Sequence, residues 1–322
     1  MTSTLLSTLR EFEKNESKHS NPMCSMDSTF SSLPLQPFIS PALPSYLNKY
    51  PEIVEAVQGV KELVDEWKEE TGVGGYELEA RLGKFTLTGF KPGVSCQFME
   101  NVIIMLKSYK KWSSETDWEE THDYYYKTDE TNLPMVRTTS SFIIDKVTGR
   151  RRIGADHIRK HVKRVLDYKY HSSTPASFQH NYDLRVNLSF EEVISRENLP
   201  TIVNPSFMRI KCRKSFYYTS EQFPSSVPIW KLDLTRSWSG ASKSEAELRQ
   251  KTEEPVYEIE IECINPLALM ISPKHDTIYV ACSLLLKMKD FVTEFSKVVE
   301  SFKWIPVQKK MTATQEQIVT CF

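Results

Sequence analysis

Short segments in which charged side chains alternate with apolar ones constrain this chain more than any other feature. In Tyr76-Glu77-Leu78-Glu79-Ala80-Arg81-Leu82-Gly83, the two-residue period of a strand puts Glu77, Glu79 and Arg81 on one face. Tyr76, Leu78, Ala80 and Leu82 fall on the other. Tyr257–Cys263 repeats the pattern with Glu258, Glu260 and Glu262. Its cationic counterpart is 208–213, where Arg209, Lys211 and Arg213 alternate with Met208, Ile210 and Cys212. In Ile229–Thr235, Lys231, Asp233 and Thr235 oppose Leu232 and Leu234, and Asp183–Glu191 aligns Arg185, Asn187, Ser189 and Glu191.

Taken alone, one such strand is ordinarily the wet side of a sheet. Five of them form either a sheet packed on helices with its outer face wet, or a barrel with a polar lumen and an apolar exterior. Composition does not separate the two. Acidic and basic strands facing each other across a lumen satisfy charges that burial would otherwise penalise, which favours closure. Strand-like segments near 123–128, 135–144 and 157–170 bring the number to about eight. The expected fold is therefore α+β dominated by β, a closed antiparallel eight-stranded barrel with a polar lumen, flanked by helices.

Three helices would supply the apolar cover. Ile53, Val57, Val60, Val64 and Trp67 form one stripe in 46–70, and a second helix is expected over 97–112. Leu285, Met288, Val292, Phe295, Val299 and Phe302 form a stripe in a third, over 280–303. Residues 1–45 hold ten serines and five prolines and are expected to be a disordered tail. The folded domain is then 46–305, with 306–322 a C-terminal tail.

Lysine plus arginine total 41 against 42 acidic residues, so nothing global draws this chain to a polyanion and local clustering must do it. The six cysteines show no CxxC spacing and no leader opens the chain, which points to a reducing intracellular compartment. No apolar run approaches the roughly 18 residues of a membrane span.

The lumen's chemistry follows from its residue types. A hard divalent cation prefers carboxylate oxygens, which Glu77, Glu79 and Glu262 can provide. Arginine and lysine on facing strands suit phosphate oxygens and the charge of a transferring phosphoryl group. Together they describe metal-assisted phosphoryl hydrolysis by water, with no covalent intermediate needed. There is no GxxxxGK[ST] loop, nucleophile elbow or HCx5R loop. His157 and His161 have zinc-like spacing only on a helix and lack a third ligand, so surface histidines are expected. From Lys146 to Lys169, nine lysines and arginines against two acids make either a solvated basic strand or an RNA contact.

These residues, in this order, resemble the metal-dependent RNA triphosphatases of mRNA capping from fungi, protozoa and large DNA viruses, members of the triphosphate tunnel metalloenzymes. YELEARLG resembles the family's first glutamate strand and YEIEIE its last, with YDLRVNLSFE, RIKCR and KLDLT between, covering roughly 76–263. The resemblance implies a divalent metal, Mg2+ or Mn2+, held by Glu77, Glu79 and Glu262. It implies that Glu260 and Asp233 hold or orient the metal's waters and the nucleophile, that Glu191 and Glu258 are buried supporting acids, and that Arg209, Lys211 and Arg213 contact phosphates. Arg137 and Lys160 would be further inward cations, alongside Lys231 and Arg81. Lys231 stands where the fungal enzymes often have arginine, without its planar fork, and Arg81 where lysine is frequent. Also implied are 5′-triphosphate RNA as substrate, an mRNA guanylyltransferase as partner, no membrane, and a nuclear location, or a cytoplasmic one for a virus; a homodimer is compatible. The same lumen would suit a tripolyphosphatase, a nucleotide triphosphatase or a non-catalytic polyanion-binding barrel.

Overall fold

A computed structural model describes residues 47, 49–70, 75–108, 112–127, 133–145, 149–172, 181–195, 204–218, 228–265, 276–293 and 302–307. The expected tail at 1–45 lies outside them, as do 308–322. The elements run α1 (Val54–Glu70), β1 (Tyr76–Thr86), β2 (Gly89–Pro92), α2 (Cys96–Ser108), β3 (Trp112–Glu115), β4 (Glu119–Tyr126) and β5 (Val136–Asp145). Then come β6 (Gly149–Ser172), β7 (Asp183–Val193), β8 (Phe207–Tyr218), β9 (Trp230–Gly240), α3 (Lys243–Thr252), β10 (Val256–Cys263), α4 (Thr277–Thr293) and β11 (Phe302–Pro306).

Eight antiparallel strands follow the order β10-β9-β8-β4-β5-β6-β7-β1, and pairing of β1 with β10 closes the ring. β2, β3 and β11 extend it from β1, β8 and β6. Because the pleat alternates, the apolar set of each strand turns outward. Leu78, Ala80, Leu82, Leu184, Val186, Leu188, Leu232, Leu234, Ile259 and Ile261 are all buried there. The main core therefore lies outside the barrel wall, under Val57, Val60, Val64 and Trp67 of α1, Phe98 and Val102 of α2, and α4. A satellite cluster of Met208, Ile210 and Ala246 sits beneath α3, backed by Tyr124 and Trp238. Among the described residues no helix is long and apolar enough to cross a membrane.

Several boundaries differ from expectation. The helix over 280–303 starts at Thr277 and its described part ends at Thr293; Phe295 and Val299 lie outside the described residues. Phe302 is in a strand, not on the helical stripe, because Phe302 and Trp304 bury while Lys303 stays exposed, and the segment pairs with β6. Trp112 belongs to β3 and not to the second helix. The segment at 157–170 is part of a 24-residue strand, so His157 and His161 lie on no helix. His157 pairs with Thr138 Oγ1 at 2.9 Å and His161 with Glu192 at 3.1 Å. α3 was not expected, although its signal was present: Ser242 accepts from the Glu245 N–H at 3.2 Å while Glu245 accepts from the Ala241 N–H at 2.9 Å.

Ile210 is fully buried on the outer face of β8, beside Arg209 and Lys211 on the inner one. Ile210→Ala is expected to cost about 2–5 kcal/mol in urea denaturation while leaving the kinetics of the folded protein unchanged.

Candidate active site

The inward faces meet in a dense set of ion pairs. On β1, Glu79 is 1 % exposed. It accepts from Arg81 at 2.9 Å, Lys160 at 3.1 Å and Asn187 at 3.0 Å. Lys160 also donates to Glu77 at 2.7 Å, so one ammonium from β6 sits between the two carboxylates of β1. Register places Glu262 directly opposite Glu79 and Glu260 opposite Arg81, whose Nε lies 2.8 Å from Glu260. Like charges facing each other across strands repel, and here lysines intervene. Lys231 contacts Glu262 at 2.6 Å and Asp233 at 3.3 Å.

Two strands around the ring from β10, β8 projects its three cations inward. Arg209 pairs with Glu258 and donates to Ser237 Oγ at 3.1 Å. Lys211 pairs with Asp123 of β4. Arg213 lies 3.4 Å from Asp233, which also accepts from Ser215 Oγ at 2.6 Å. Arg137 of β5 donates to Glu191 of β7 at 3.1 Å. Each residue that the sequence suggests as catalytic, phosphate-binding or metal-ligating makes at least one ion pair on these inward faces.

One buried acid of the lumen carries no signal in the sequence. Asp123 is 1 % exposed, pairs with Lys211 and accepts from Thr139 Oγ1 at 2.8 Å. Its segment, His-Asp-Tyr-Tyr-Tyr, lacks clean alternation, so the face carrying Thr121, Asp123 and Tyr125 was not apparent. Asp123→Ala would leave the Lys211 ammonium buried without its carboxylate. Equilibrium unfolding is expected to show a loss of about 3–5 kcal/mol.

Protonation follows the crowding. Burial opposes ionisation of Glu79, but Arg81 and Lys160 outweigh it and hold the carboxyl well below the usual carboxylate range. Burial pushes Glu260 up to about 8 against the pull of Arg81, with Glu79 adding to the rise. Burial also raises Glu262 against Lys231, with Glu77 adding to the rise. Burial lowers Lys211 to about 8, and although Asp123 opposes this, Arg209, Arg137 and Arg213 add to it. Asp123 is itself held below the ordinary range despite burial, because Lys211 and Arg137 face it. The two shifts agree physically: around Lys211 the cations outnumber the acids, a field that welcomes further negative charge.

Among the described residues no three His, Cys, Asp or Glu side chains converge on a metal-sized point. The carboxylates expected as ligands are instead neutralised by Lys160 and Lys231. The donor set still fits a hard cation. Its oxygens face one another across β1 and β10, and the Lys160 ammonium stands in for positive charge between Glu77 and Glu79.

No family model matches the chain, and no curated protein matches it by sequence. Solved structures do. The structure of the S. pombe Pct1 RNA triphosphatase superposes with a TM-score of 0.51 over 79% of this chain and 100% of that one, at 15% identity. The chain shares its fold with an RNA triphosphatase. Pct1 in complex with the Spt5 CTD gives a TM-score of 0.52 at 15% identity, over 79% of this chain and 100% of that one. The RNA triphosphatase domain of a mimivirus mRNA capping enzyme overlaps 73% of this chain and 96% of its own, at 12% identity and a TM-score of 0.45. The likeness to Pct1 is one of fold; what the inward faces of this chain do is argued from their own chemistry.

Proposed function

We propose that the chain is an mRNA-capping RNA 5′-triphosphatase that hydrolyses the γ-phosphate of 5′-triphosphate RNA to leave 5′-diphosphate RNA and phosphate. The observation that carries this reading is that Glu77, Glu79, Glu260 and Glu262 of β1 and β10 and Arg209, Lys211 and Arg213 of β8 line one closed lumen. Carboxylates alone would bind a cation and cations alone a polyanion; both walls together suit phosphoryl transfer to water.

A divalent cation, Mg2+ or Mn2+, held by Glu77, Glu79 and Glu262 would neutralise phosphate charge and supply an acidified water. The chain's own groups do the rest. Lys211 and Arg213 bind the terminal phosphate, and Arg209, fixed by Glu258 and Ser237, presents a rigid guanidinium beside them. Lys160 and Lys231 pass from the glutamates to phosphate oxygens. Asp233, held by Ser215, and Glu260 orient the attacking water. The water's oxygen bonds to the γ-phosphorus, the bond to the β–γ bridging oxygen breaks, the diphosphate leaves with that oxygen, and one proton of the water passes to solvent while the other stays on the released phosphate. Arg137 with Glu191 props the wall behind. With this role go a nuclear location and an mRNA guanylyltransferase as partner.

The test is steady-state hydrolysis of 5′-triphosphate RNA, ATP and tripolyphosphate under Mg2+, Mn2+ and chelator. RNA is expected to show the highest kcat/KM, and chelator to abolish turnover. A preference for tripolyphosphate would assign the site to inorganic polyphosphate, and hydrolysis indifferent to chelator would remove the metal from the account.

A further inference from the structure

Resting on the hydrolytic reading above, we propose that the lumen continues into a platform for the first nucleotides of the RNA, formed by Phe85, Phe90, Arg185 and Lys169. β1 runs past the ring closure: its pairing with β7 stops at Gly83, and 84–86 pair only with β2. A Cβ at Gly83 would clash with the Lys91 carbonyl oxygen, so glycine is what lets β2 fold back this closely. Phe85 shares the inward face of Glu79 and Arg81 and stands six residues beyond Glu79, about 20 Å at the rise of a strand. A triphosphate alone does not bridge that span. An RNA chain does.

The platform has the composition that single-stranded nucleic acid uses. Phe85 and Phe90 lie edge to face with centroids 5.3 Å apart. The Arg185 guanidinium sits 4.6 Å from the Phe90 ring and the exposed Lys169 ammonium 5.8 Å from Phe85. Arg185 is the register partner of Arg81, so a line of cations leads from the lumen to the aromatic pair. Its guanidinium is locked by Asp167 at 2.7 and 3.1 Å. Asp183 accepts from the Phe85 N–H at 2.7 Å and the Tyr170 N–H at 2.9 Å, which clamps the β1 extension against β6 and fixes Phe85 beside Lys169. The opposite direction along β1 and β10 leads to Glu77 and Glu262, each paired with a lysine that the hydrolytic reading assigns to the triphosphate itself. Bases have π-faces for Phe85, and backbone phosphates suit Lys169 and the locked Arg185. The basic strand from Gly149 to Ser172 reaches the substrate through its last turns of pleat, at Lys169.

Phe85→Ala and Lys169→Gln test this with three ligands in the full chain: 5′-triphosphate RNA of about ten nucleotides, ATP, and the same RNA ending in a 5′-hydroxyl. Phe85→Ala is expected to raise KM for the triphosphate RNA on the order of tenfold, with both constants for ATP unchanged. The hydroxyl RNA should bind wild type in fluorescence anisotropy and lose the same factor in either variant. Lys169→Gln, exposed and harmless to folding, should also make the dependence of log Kd on log salt shallower by about 0.7. Equal losses on RNA and ATP, or an RNA KM unmoved in both variants, overturn the platform, as does equal binding of an acidic peptide at this surface. If wild type hydrolyses no triphosphate yet hydroxyl RNA binding falls in both variants, the hydrolytic reading fails and the platform stands.

Discussion

Glu77→Ala and Glu262→Ala are each expected to cut triphosphate hydrolysis by more than about 100-fold, since loss of even an outer-shell partner of a metal costs roughly 10- to 100-fold. Both carboxylates are part-exposed within the lumen and contact a single lysine each, at 2.7 and 2.6 Å. Their removal subtracts a donor without emptying a packed core. Circular dichroism and thermal midpoint should stay close to wild type, with Mn2+ affinity lost by titration calorimetry. Glu79 is a poorer probe than the sequence pattern alone suggests. It is buried against Arg81, Lys160 and Asn187, so Glu79→Ala strands two cations, and the loss of activity would be mixed with a loss of stability.

Lys211→Ala is expected to lower kcat by about 10² to 10³, equivalent to about 2 to 4 kcal/mol, with a smaller rise in KM. A contact that strengthens as charge builds on the transferring phosphoryl group acts on the chemical step. Lys211 differs from its neighbours in being a cation that titrates near neutrality. Burial, with Arg209, Arg137 and Arg213 adding, lowers it to about 8 despite Asp123. The ammonium is present below that value and lost as pH rises through it, so kcat/KM at saturating metal should decline above about pH 8. Lys211→Arg, with a charge that does not titrate, should flatten the alkaline limb even if its geometry lowers the plateau. An alkaline limb unchanged in Lys211→Arg would take Lys211 out of the rate-limiting chemistry.

Much of this site was legible in the sequence because a strand's period turns composition into direction. Glu77, Glu79 and Arg81, then Glu258, Glu260 and Glu262, then Arg209, Lys211 and Arg213 each declare a shared face. A closed ring of such strands leaves those faces only the lumen. What stayed hidden depends on pairing between distant segments. Nothing local to Lys160 reveals that its ammonium lies between Glu77 and Glu79, more than eighty residues earlier. Asp123 was missed because three consecutive tyrosines follow it and blur the alternation that marks the other strands. Phe302 was assigned to a helix because a three-and-four spacing extended past Thr293, whereas pairing with β6 makes that segment a strand. α3 carries no apolar stripe, since only Ala246 of it is buried, and its start is marked by the Ser242 cap alone.

Metal-assisted hydrolysis in this lumen is expected to remove the outermost phosphate of an RNA. The most direct measurement follows γ-labelled and α-labelled 5′-triphosphate RNA in parallel, with Mg2+ or Mn2+, in wild type and Glu262→Ala. Predicted is release of labelled orthophosphate from the γ-label alone, a 5′-diphosphate end retained on the α-labelled strand, and neither product with chelator or in Glu262→Ala. Pyrophosphate release, label freed from the α-position, or undiminished turnover by Glu262→Ala would contradict it.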